Sequence, residues 1–429
     1  MVDRNLLNTP DGMKSYLPDT CQEFYEIREK IEGIFDSWGY RPIITPTLEY
    51  YQSLQLGMGR QSKRDFYKLI DYEGNILALK PEMTAPIART VVNRMEEVSL
   101  PLRLSYFAPV FRYDSPQMGK NREIYQLGME FIGEDPLAEA EVIMVAIESL
   151  KKAGLQNFKI DLGHTSYLDG IISELDLSQY EADKIKSYLN KKNFVGLRNY
   201  VEQLGIDNKQ QLLELPKMRG DKGVLTEAAG LVNNPRSQQA IDKLEQVFSL
   251  LQDYDVSDYL NFDLGLIRGL DYYTGIVFEG FTEKLGYTIC GGGRYDNLLE
   301  KYGGRQIPAV GFALGLQRVW LSLKKENYKF RKQTVEGMVV FSPETRSTAL
   351  GATRELHQQG LTIILKEVDK SRAGITGELL ELARSKSVER ILTFPADRAE
   401  TVRVIDVHTE NSQEFKLEEG WVNQIWKDW

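Results

Sequence analysis

The chain of 429 residues contains few of the side chains that build metal sites and disulfide frameworks. It has two cysteines, Cys21 and Cys290, and three histidines far apart in sequence, His164, His357 and His408. Two cysteines cannot form a disulfide framework or a cysteine-rich zinc site, and isolated histidines do not favour a metal centre. We therefore expect no metal site and a reducing, cytoplasmic setting.

Long apolar runs and an excess of basic residues are also absent. No segment approaches the 18 or more apolar residues of a membrane-spanning helix, and residues 1–5 are not followed by the apolar stretch of a signal peptide. We therefore expect no membrane association. Lys and Arg total 53 against 62 Asp and Glu, a net charge of −9. Nucleic-acid binders are usually basic, so this balance weakly disfavours RNA binding, although a local basic face could still bind RNA.

The residues that are present predict a globular protein of two or three domains. A hydrophobic content of 42% suffices for packed cores. Mixed helix and strand signals over residues 1–323 predict an α+β domain. Within it, a stretch rich in Leu, Lys, Glu and Gln over about 165–252 predicts a helical insertion. Residues 324–332 predict a polar, basic linker, and alternating strand and helix signals then predict a small α/β domain over 333–429.

Polar side chains flank and line a predicted hairpin. Arg112 follows one strand and Arg122 precedes the next, on which Gln126, Gly128 and Glu130 share a face because strand side chains alternate. A glutamine and a glutamate in a concave sheet suit an ammonium group, and an arginine suits a carboxylate or phosphate. The alternative is a solvent-facing charged hairpin. Gly128 argues against it, because glycine weakens a strand unless something approaches there.

Two further segments combine polar groups with regular structure. Residues 79–86 predict a strand that runs into a helix, with Thr84 as a candidate helix cap and Glu82 exposed just before it. Four hydrogen-bonding side chains, Arg268, Asp271, Tyr272 and Tyr273, stand between apolar strands. Such a density favours a polar pocket over a core.

Glycine-rich segments occur, but none has the spacing of a common nucleotide-binding fingerprint. Residues 291–296, G-G-G-R-Y-D, end a predicted strand. They indicate either close approach of a ligand to the backbone or a tight bend at a sheet edge. Residues 309–318 predict the small-residue start of a long helix that carries Arg318, and close packing of helix on sheet would explain most of this pattern.

Together these segments resemble a known family. Residues 45–49 (T-P-T-L-E), 111–130 and 311–318 resemble motifs 1, 2 and 3 of the class II aminoacyl-tRNA synthetases, the second in its histidyl form. Residues 267–273 and 292–296 resemble the two histidine-binding motifs of the histidyl group. The resemblance implies an antiparallel sheet of six or seven strands with helices, and a dimer through the motif 1 region. The C-terminal α/β domain takes the position of an anticodon-binding domain.

The resemblance also implies which residues bind ligands. By this resemblance, we expect eight residues to bind histidine: Glu82, Thr84, Arg112, Gln126, Glu130, Arg268, Tyr272 and Tyr273. In a synthetase Arg112 and Arg318 would meet the phosphates of ATP, supplied with Mg²⁺, and Arg268 would meet the reacting carboxylate. These three arginines would then be catalytic. In a protein that only senses histidine, no catalytic residue and no cofactor is expected, and histidine is the effector.

Two groups share these motifs, the histidyl-tRNA synthetases and the regulatory subunits of ATP phosphoribosyltransferase. The second group binds histidine, charges no tRNA and pairs with a short-form catalytic subunit. Four departures from the synthetase pattern favour the second group. Residues 81–84 read P-E-M-T and, together with residues 85–89, resemble the regulatory subunits, and Asn121 stands where the synthetases usually have an aromatic residue. Residues 160–164 and 192–196 resemble the insertion of the regulatory subunits, and residues 371–378 lack the basic signature of the anticodon-binding domain. We therefore expect a histidine-sensing regulator of the first step of histidine biosynthesis, a homodimer within a hetero-oligomer. A histidyl-tRNA synthetase with tRNA as partner is the alternative.

Overall fold

The computed structural model describes residues 7–59, 66–113, 121–206, 209–268, 272–282, 285–332, 334–369, 376–395, 397–398 and 400–427. The chain forms two compact units, Met1–Phe330 and Arg331–Trp429. Among these described ranges, no helix is both long and apolar enough to cross a membrane.

The first unit alternates helices with strands. Before the insertion it contains α1 (Pro18–Ser37), β1 (Arg41–Pro42), β2 (Leu48–Tyr50), α2 (Tyr51–Met58), β3 (Lys68–Ile70), β4 (Ile76–Leu79), α3 (Thr84–Arg94), β5 (Leu102–Phe111), β6 (Glu123–Ile132), α4 (Ala138–Ala153) and β7 (Phe158–His164). The insertion contains α5 (Thr165–Ser173), α6 (Gln179–Asn190), α7 (Phe194–Leu204), α8 (Gln210–Glu214), β8 (Arg219–Gly220), α9 (Gly223–Leu231) and α10 (Pro235–Asp253). The unit ends with β9 (Leu260–Asp263), β10 (Ile276–Thr282), β11 (Cys290–Arg294), α11 (Leu298–Lys301), β12 (Ala309–Gly315) and α12 (Leu316–Lys325).

A nine-stranded sheet organises this unit, in the order β1-β5-β6-β12-β11-β10-β7-β9-β8. Neighbouring strands are antiparallel except for the β1–β5 and β7–β9 pairs, which are parallel. The predicted α+β fold with a large, mainly antiparallel sheet is confirmed. The expected count of six or seven strands was too low, because strands of only two residues extend both edges, β1 at one and β8 at the other. A separate sheet, β2-β4-β3, includes the hairpin that turns at Gly74.

The core lies between the large sheet and helices α1 and α4. Phe24, Ile27, Ile31 and Phe35 form the apolar stripe of α1, and all four are buried against α4 and the sheet. A stripe with steps of three or four residues places its side chains on one face of a helix, so burying it fixes how α1 lies on the sheet. Gly39 follows the helix with a φ of +77°, a conformation that glycine adopts readily.

The predicted helix start at residues 309–318 was wrong. Ala309–Gly315 is strand β12, which pairs with β6 on one side and β11 on the other, and the helix begins at Leu316. The small residues serve close contact rather than helix packing. A Cβ atom on Gly311 would lie 1.8 Å from Oε2 of Glu130, so this strand position has no room for a side chain.

The second unit is a five-stranded sheet with helices. Its elements are β13 (Val335–Phe341), α13 (Arg346–Gln358), β14 (Ile363–Glu367), α14 (Gly377–Ser385), β15 (Val388–Thr393), β16 (Thr401–Asp406), β17 (Ser412–Lys416) and α15 (Trp421–Lys427). The strand order is β14-β13-β15-β16-β17. The first three strands are parallel, as strand–helix alternation predicts, and β16 and β17 add antiparallel pairs at one edge.

Candidate ligand-binding site

A cavity of about 230 Å³ opens over the middle of the large sheet. Its walls come from the start of α3, from β5, β6, β10, β11 and β12, from the first turn of α12, and from residues just before β10 and β11 and just after β5. It brings together residues that are far apart in sequence: Glu82, Thr84, Arg112, Gln126, Arg268, Tyr272, Tyr273 and Arg318. Glu130 lies directly behind the wall formed by Gly311. These nine side chains therefore surround one space, whereas Arg122, which flanks the same hairpin, donates to the Asp11 carbonyl at 3.2 Å and does not line the cavity.

The Glu82 carboxylate caps helix α3. Its two oxygens accept hydrogen bonds from the backbone N–H groups of Thr84 and Ala85, both at 2.8 Å, and it is 4% exposed. The expectation that Thr84 caps this helix and that Glu82 is exposed was wrong, because Thr84 is already within the helix and its hydroxyl points to Glu130. Burial raises the pKa of Glu82, while the two backbone donors act in the opposite direction.

Glu130 is the most deeply buried acid of the site. The hydroxyl of Thr84 donates to its Oε1 at 2.7 Å, and the hydroxyl of Tyr295 donates to its Oε2 at 2.5 Å. Burial raises the pKa of Glu130 to about 8, and the charge of Glu82 acts in the same direction. Glu130 is therefore close to its titration point at neutral pH, and a donor or cation in the cavity would favour its charged form.

Three guanidinium groups give the cavity an anion-binding character. Arg112 Nε donates to the Pro81 carbonyl at 2.9 Å, and Arg318 Nη1 donates to the carbonyl of Thr288. Arg268 Nη1 donates to the carbonyl of Phe278 at 3.0 Å, and its buried Nε has no partner within the described part of the chain. An arginine has five N–H donors, so groups anchored in this way can still hold a carboxylate or phosphate.

The face of β6 shared by Gln126, Gly128 and Glu130 lies on the cavity side. Gln126 is 8% exposed, and its Oε1 has no hydrogen-bond donor among the residues described. The expectation that something approaches Gly128 closely is confirmed: a Cβ atom there would lie 2.4 Å from the hydroxyl of Tyr106. The group that approaches is thus a protein side chain in the cavity wall.

The glycine triplet makes room for two of the predicted ligand-binding side chains. A Cβ atom on Gly291 would lie 1.7 Å from Arg268 Nη1, and one on Gly293 would lie 2.8 Å from the Tyr273 ring. The groups that approach the backbone here are protein side chains rather than the expected ligand, and β11 lies between β10 and β12, which contradicts the alternative of a bend at a sheet edge. Sequence reasoning missed four polar residues of the site: Tyr106, Glu279, Thr288 and Tyr295. For Tyr295 a signal was present, since it stands in the G-G-G-R-Y-D segment.

Some predicted features cannot be placed. The hairpin loop at 114–120, the residues 269–271 and the segment 371–375 lie outside the described residues. Asn121, at the edge of the first gap, donates to the hydroxyl of Tyr16 at 3.3 Å. Within the described ranges, no group of three or more His, Cys, Asp and Glu side chains could hold a metal ion.

Taken together, the cavity pairs buried acids with guanidinium groups. Glu82, Glu130 and the amide oxygen of Gln126 are acceptors for an ammonium group or a ring N–H, and Arg112 and Arg268 are donors for a carboxylate. The arrangement is thus suited to a zwitterion such as a free amino acid.

Comparisons with known proteins agree with the resemblance drawn from the five motifs. The family model described as histidyl-tRNA synthetase matches residues 12–319. A protein of Halothermothrix orenii named ATP phosphoribosyltransferase regulatory subunit is 50% identical over 94% of this chain and 96% of its own length. A histidine–tRNA ligase of Methanocaldococcus jannaschii is 37% identical over 74% of this chain and 76% of its own length. A Bacillus halodurans crystal structure, described as an ATP phosphoribosyltransferase regulatory subunit/histidyl-tRNA synthetase, superposes with a TM-score of 0.79 at 33% identity, covering 90% of this chain and 97% of that one.

Proposed function

The chain belongs to the family of ATP phosphoribosyltransferase regulatory subunits, which carries a histidyl-tRNA synthetase-type domain, and we propose that it senses histidine for a short-form catalytic subunit. In this role it is required for the first step of histidine biosynthesis and makes that step responsive to the end product. The observation that carries this function is the 50% identity to a named regulatory subunit over 94% of the chain.

The chemistry of the cavity supports histidine as the effector. The acceptors Glu82, Gln126 and Glu130, with Thr84 and Tyr273, hold the amine and the ring, and both of these groups carry N–H donors. The arginines Arg112 and Arg268 hold the carboxylate, and Tyr272 supports Glu82 through a hydrogen bond of 3.3 Å. In this role these residues bind the effector and are not catalytic, and no cofactor is required.

Regulation then depends on a difference in affinity between two states of the assembly. A ligand shifts an equilibrium only if it binds one state more tightly than the other. Histidine therefore binds the inhibited complex more tightly than the active complex. By linkage, whatever stabilises the active complex weakens histidine binding by the same factor.

The functional assembly is a homodimer joined to catalytic subunits in the cytoplasm. The small sheet near the motif 1 segment supports the dimer, because it exposes a row of large apolar side chains: Leu48 (42%), Leu69 (44%), Ile70 (76%) and Ile76 (49%). Apolar patches of this kind mark protein–protein contact surfaces.

Activation of the catalytic subunit tests this function. The short-form catalytic subunit encoded in the same genome is assayed for ATP phosphoribosyltransferase activity alone and with increasing amounts of the purified chain. We expect activity to rise with the chain and to saturate at a fixed ratio. Equal activity with and without the chain would contradict the proposal.

The second candidate is a histidyl-tRNA synthetase. One observation favours it: Arg112, Arg268 and Arg318, the three arginines that a synthetase would use, all line the same cavity. A synthetase would ligate histidine to tRNA with ATP and Mg²⁺. Aminoacylation of tRNA by the chain alone distinguishes the two functions, because the regulatory subunit should show none.

A further inference from the structure

A second cleft lies beside strand β11, on the other face of that strand from the ligand cavity. Side chains alternate along a strand, so Gly291 and Gly293 face the cavity while Arg294 faces the opposite side. There Arg294 borders an open cleft of about 770 Å³, together with Glu134, Glu139, His164, Lys243 and Asp296.

The floor of this cleft contains an acceptor without a donor. Glu139, in the first turn of α4, is 1% exposed. Its Oε1 contacts Arg294 Nη1 at 2.9 Å and Lys243 Nζ at 3.3 Å, whereas its Oε2 is buried and has no partner among the described residues. A buried carboxylate oxygen left without a donor loses its hydration without compensation, and the penalty is larger because the oxygen is charged. The floor therefore calls for a donor from a bound group.

The charge around the cleft indicates that this group is cationic. Both basic side chains of the cleft already contact acids: Lys243 contacts Glu139, and Arg294 contacts Glu139 and Asp296. At the rim, Glu134 is exposed and adds an acid. Among the described residues of the cleft, four acids (Glu134, Asp135, Glu139 and Asp296) stand against two bases (Lys243 and Arg294), so negative charge is in excess and complements an ammonium or guanidinium group.

The rim also has an apolar part that a small cation would not use. Leu137 is 53% exposed and Pro136 beside it is exposed as well, directly next to the acidic residues. These two exposed residues offer apolar contact area that a protein segment can use and a small cation cannot. A lysine or arginine on a protein segment combines both requirements.

We propose that this cleft receives a lysine or arginine side chain of the catalytic subunit, which donates to Glu139 Oε2 while neighbouring residues pack on Leu137. This inference rests on the proposed regulatory function and adds a docking point to it. The cleft is linked to the ligand cavity through adjacent residues: Tyr295 follows Arg294 and donates to Glu130, and the N–H of Thr274 donates to the Arg294 carbonyl at 2.8 Å.

The test measures binding of the purified catalytic subunit to immobilised full-length chain at low and moderate salt. Glu134→Lys reverses the charge of the exposed rim residue, and Glu139→Gln removes the charge at the floor. Glu245→Lys is the matched control, because Glu245 is exposed on α10, the helix of Lys243, but does not line the cleft. We expect both cleft variants to weaken the complex about tenfold or more, and the control to stay within twofold.

The other outcomes have distinct meanings. If the wild-type chain binds the catalytic subunit and Glu134→Lys binds it equally well, the docking site is overturned and the regulatory function stands. The absence of any wild-type complex overturns the regulatory function and this site with it. Dissociation of the free chain's homodimer by Glu134→Lys would instead assign the cleft to a second copy. Binding of arginine amide to the wild-type chain, abolished by Glu134→Lys while the complex persists, would assign it to a small cation. Histidine affinity of free Glu134→Lys should equal that of the wild type.

Discussion

The Tyr295 hydroxyl donates to Oε2 of Glu130 at 2.5 Å in a place where neither side chain reaches bulk water. Tyr295 is 2% exposed and Glu130 is 1% exposed. This hydrogen bond lies directly behind the ligand cavity. The charge state of Glu130 therefore influences both the stability of the ligand-free protein and its affinity for a ligand that is cationic or carries N–H groups.

Stability of the empty protein should depend on the titration of Glu130. Burial raises the pKa of this carboxyl from 4.5 to about 8. Between these values the folded state holds a proton that the unfolded state has lost, so Glu130 reduces stability as pH rises, by about 1.4 kcal/mol per unit. Urea unfolding at pH 5.5 and 7.5 should therefore show Glu130→Gln gaining stability relative to wild type at the higher pH. A constant difference would mean that Glu130 does not titrate in this range.

Histidine affinity should depend on the same side chain. Glu130→Ala removes a charge-assisted contact, which costs on the order of 1.5–3 kcal/mol, or roughly 10- to 150-fold in affinity. Calorimetric titration with histidine measures the loss. Glu245→Ala, an exposed change on α10, serves as the control and should bind like the wild type. Unchanged affinity in Glu130→Ala would remove Glu130 from the site.

Gly291→Ala should weaken histidine binding without a change at any polar residue. The added methyl group would lie 1.7 Å from Arg268 Nη1, so the guanidinium must leave its place beside the Phe278 carbonyl. We expect a loss of roughly tenfold or more, as for a broken charged contact. The control is Gly33→Ala on α1, where the methyl group meets nothing within 4 Å. If both variants bind histidine equally well, Arg268 does not hold the ligand from this position.

Acid should destabilise the protein through His164. Burial lowers the pKa of this imidazole from 6.5 to about 4, and the charge of Lys243 acts in the same direction. Between pH 6.5 and about pH 4, His164 is protonated in the unfolded state but neutral in the folded state. The free energy of unfolding therefore falls as pH falls through this window. His164→Asn should reduce this acid sensitivity in thermal unfolding, and the exposed His408→Asn should not. Equal acid sensitivity in all three proteins would contradict the assignment.

Transfer RNA should bind weakly. Residues 333–429 contain 16 acidic and 12 basic side chains, so the unit in the position of an anticodon-binding domain is itself negatively charged. Phosphate contacts require clustered lysine and arginine. Filter binding of the full-length chain at two salt concentrations should give weak retention of tRNA. Tight binding that falls steeply with salt would support the synthetase instead.

Elements whose signal lies within one segment can be identified from local sequence patterns alone. The stripe of Phe24, Ile27, Ile31 and Phe35 marks α1, and the turn at Gly74 marks the β3–β4 hairpin. The run at 309–315 predicts its strand poorly, because its alanine and glycine residues show no clear apolar period. Its strand pairing is fixed by β6 and β11, which come from distant parts of the sequence.

The site was predictable as a set of residues but not as an arrangement. The motif resemblance identified Glu82, Arg112, Gln126 and Arg268 as ligand-binding residues, and the fold brings all four to one cavity. The burial of Glu82 was not predictable, because it depends on other elements that pack over it, although its hydrogen bonds to the N–H groups of Thr84 and Ala85 are local. Glu279 was missed for a similar reason: only the pairing of β10 with β11 turns it towards Arg268.

The central claim is that histidine binds in the cavity and thereby inhibits the complex. It is tested most directly by a histidine titration of the reconstituted enzyme. The chain is mixed with the short-form catalytic subunit, and ATP phosphoribosyltransferase activity is followed as histidine increases, for wild type and for Arg268→Ala. We predict saturable inhibition with the wild type. With Arg268→Ala we predict intact activation and inhibition only at histidine concentrations about tenfold or more higher. Histidine-dependent tRNA charging by the wild-type chain above background, or an activated mixture that histidine does not inhibit, would contradict the account.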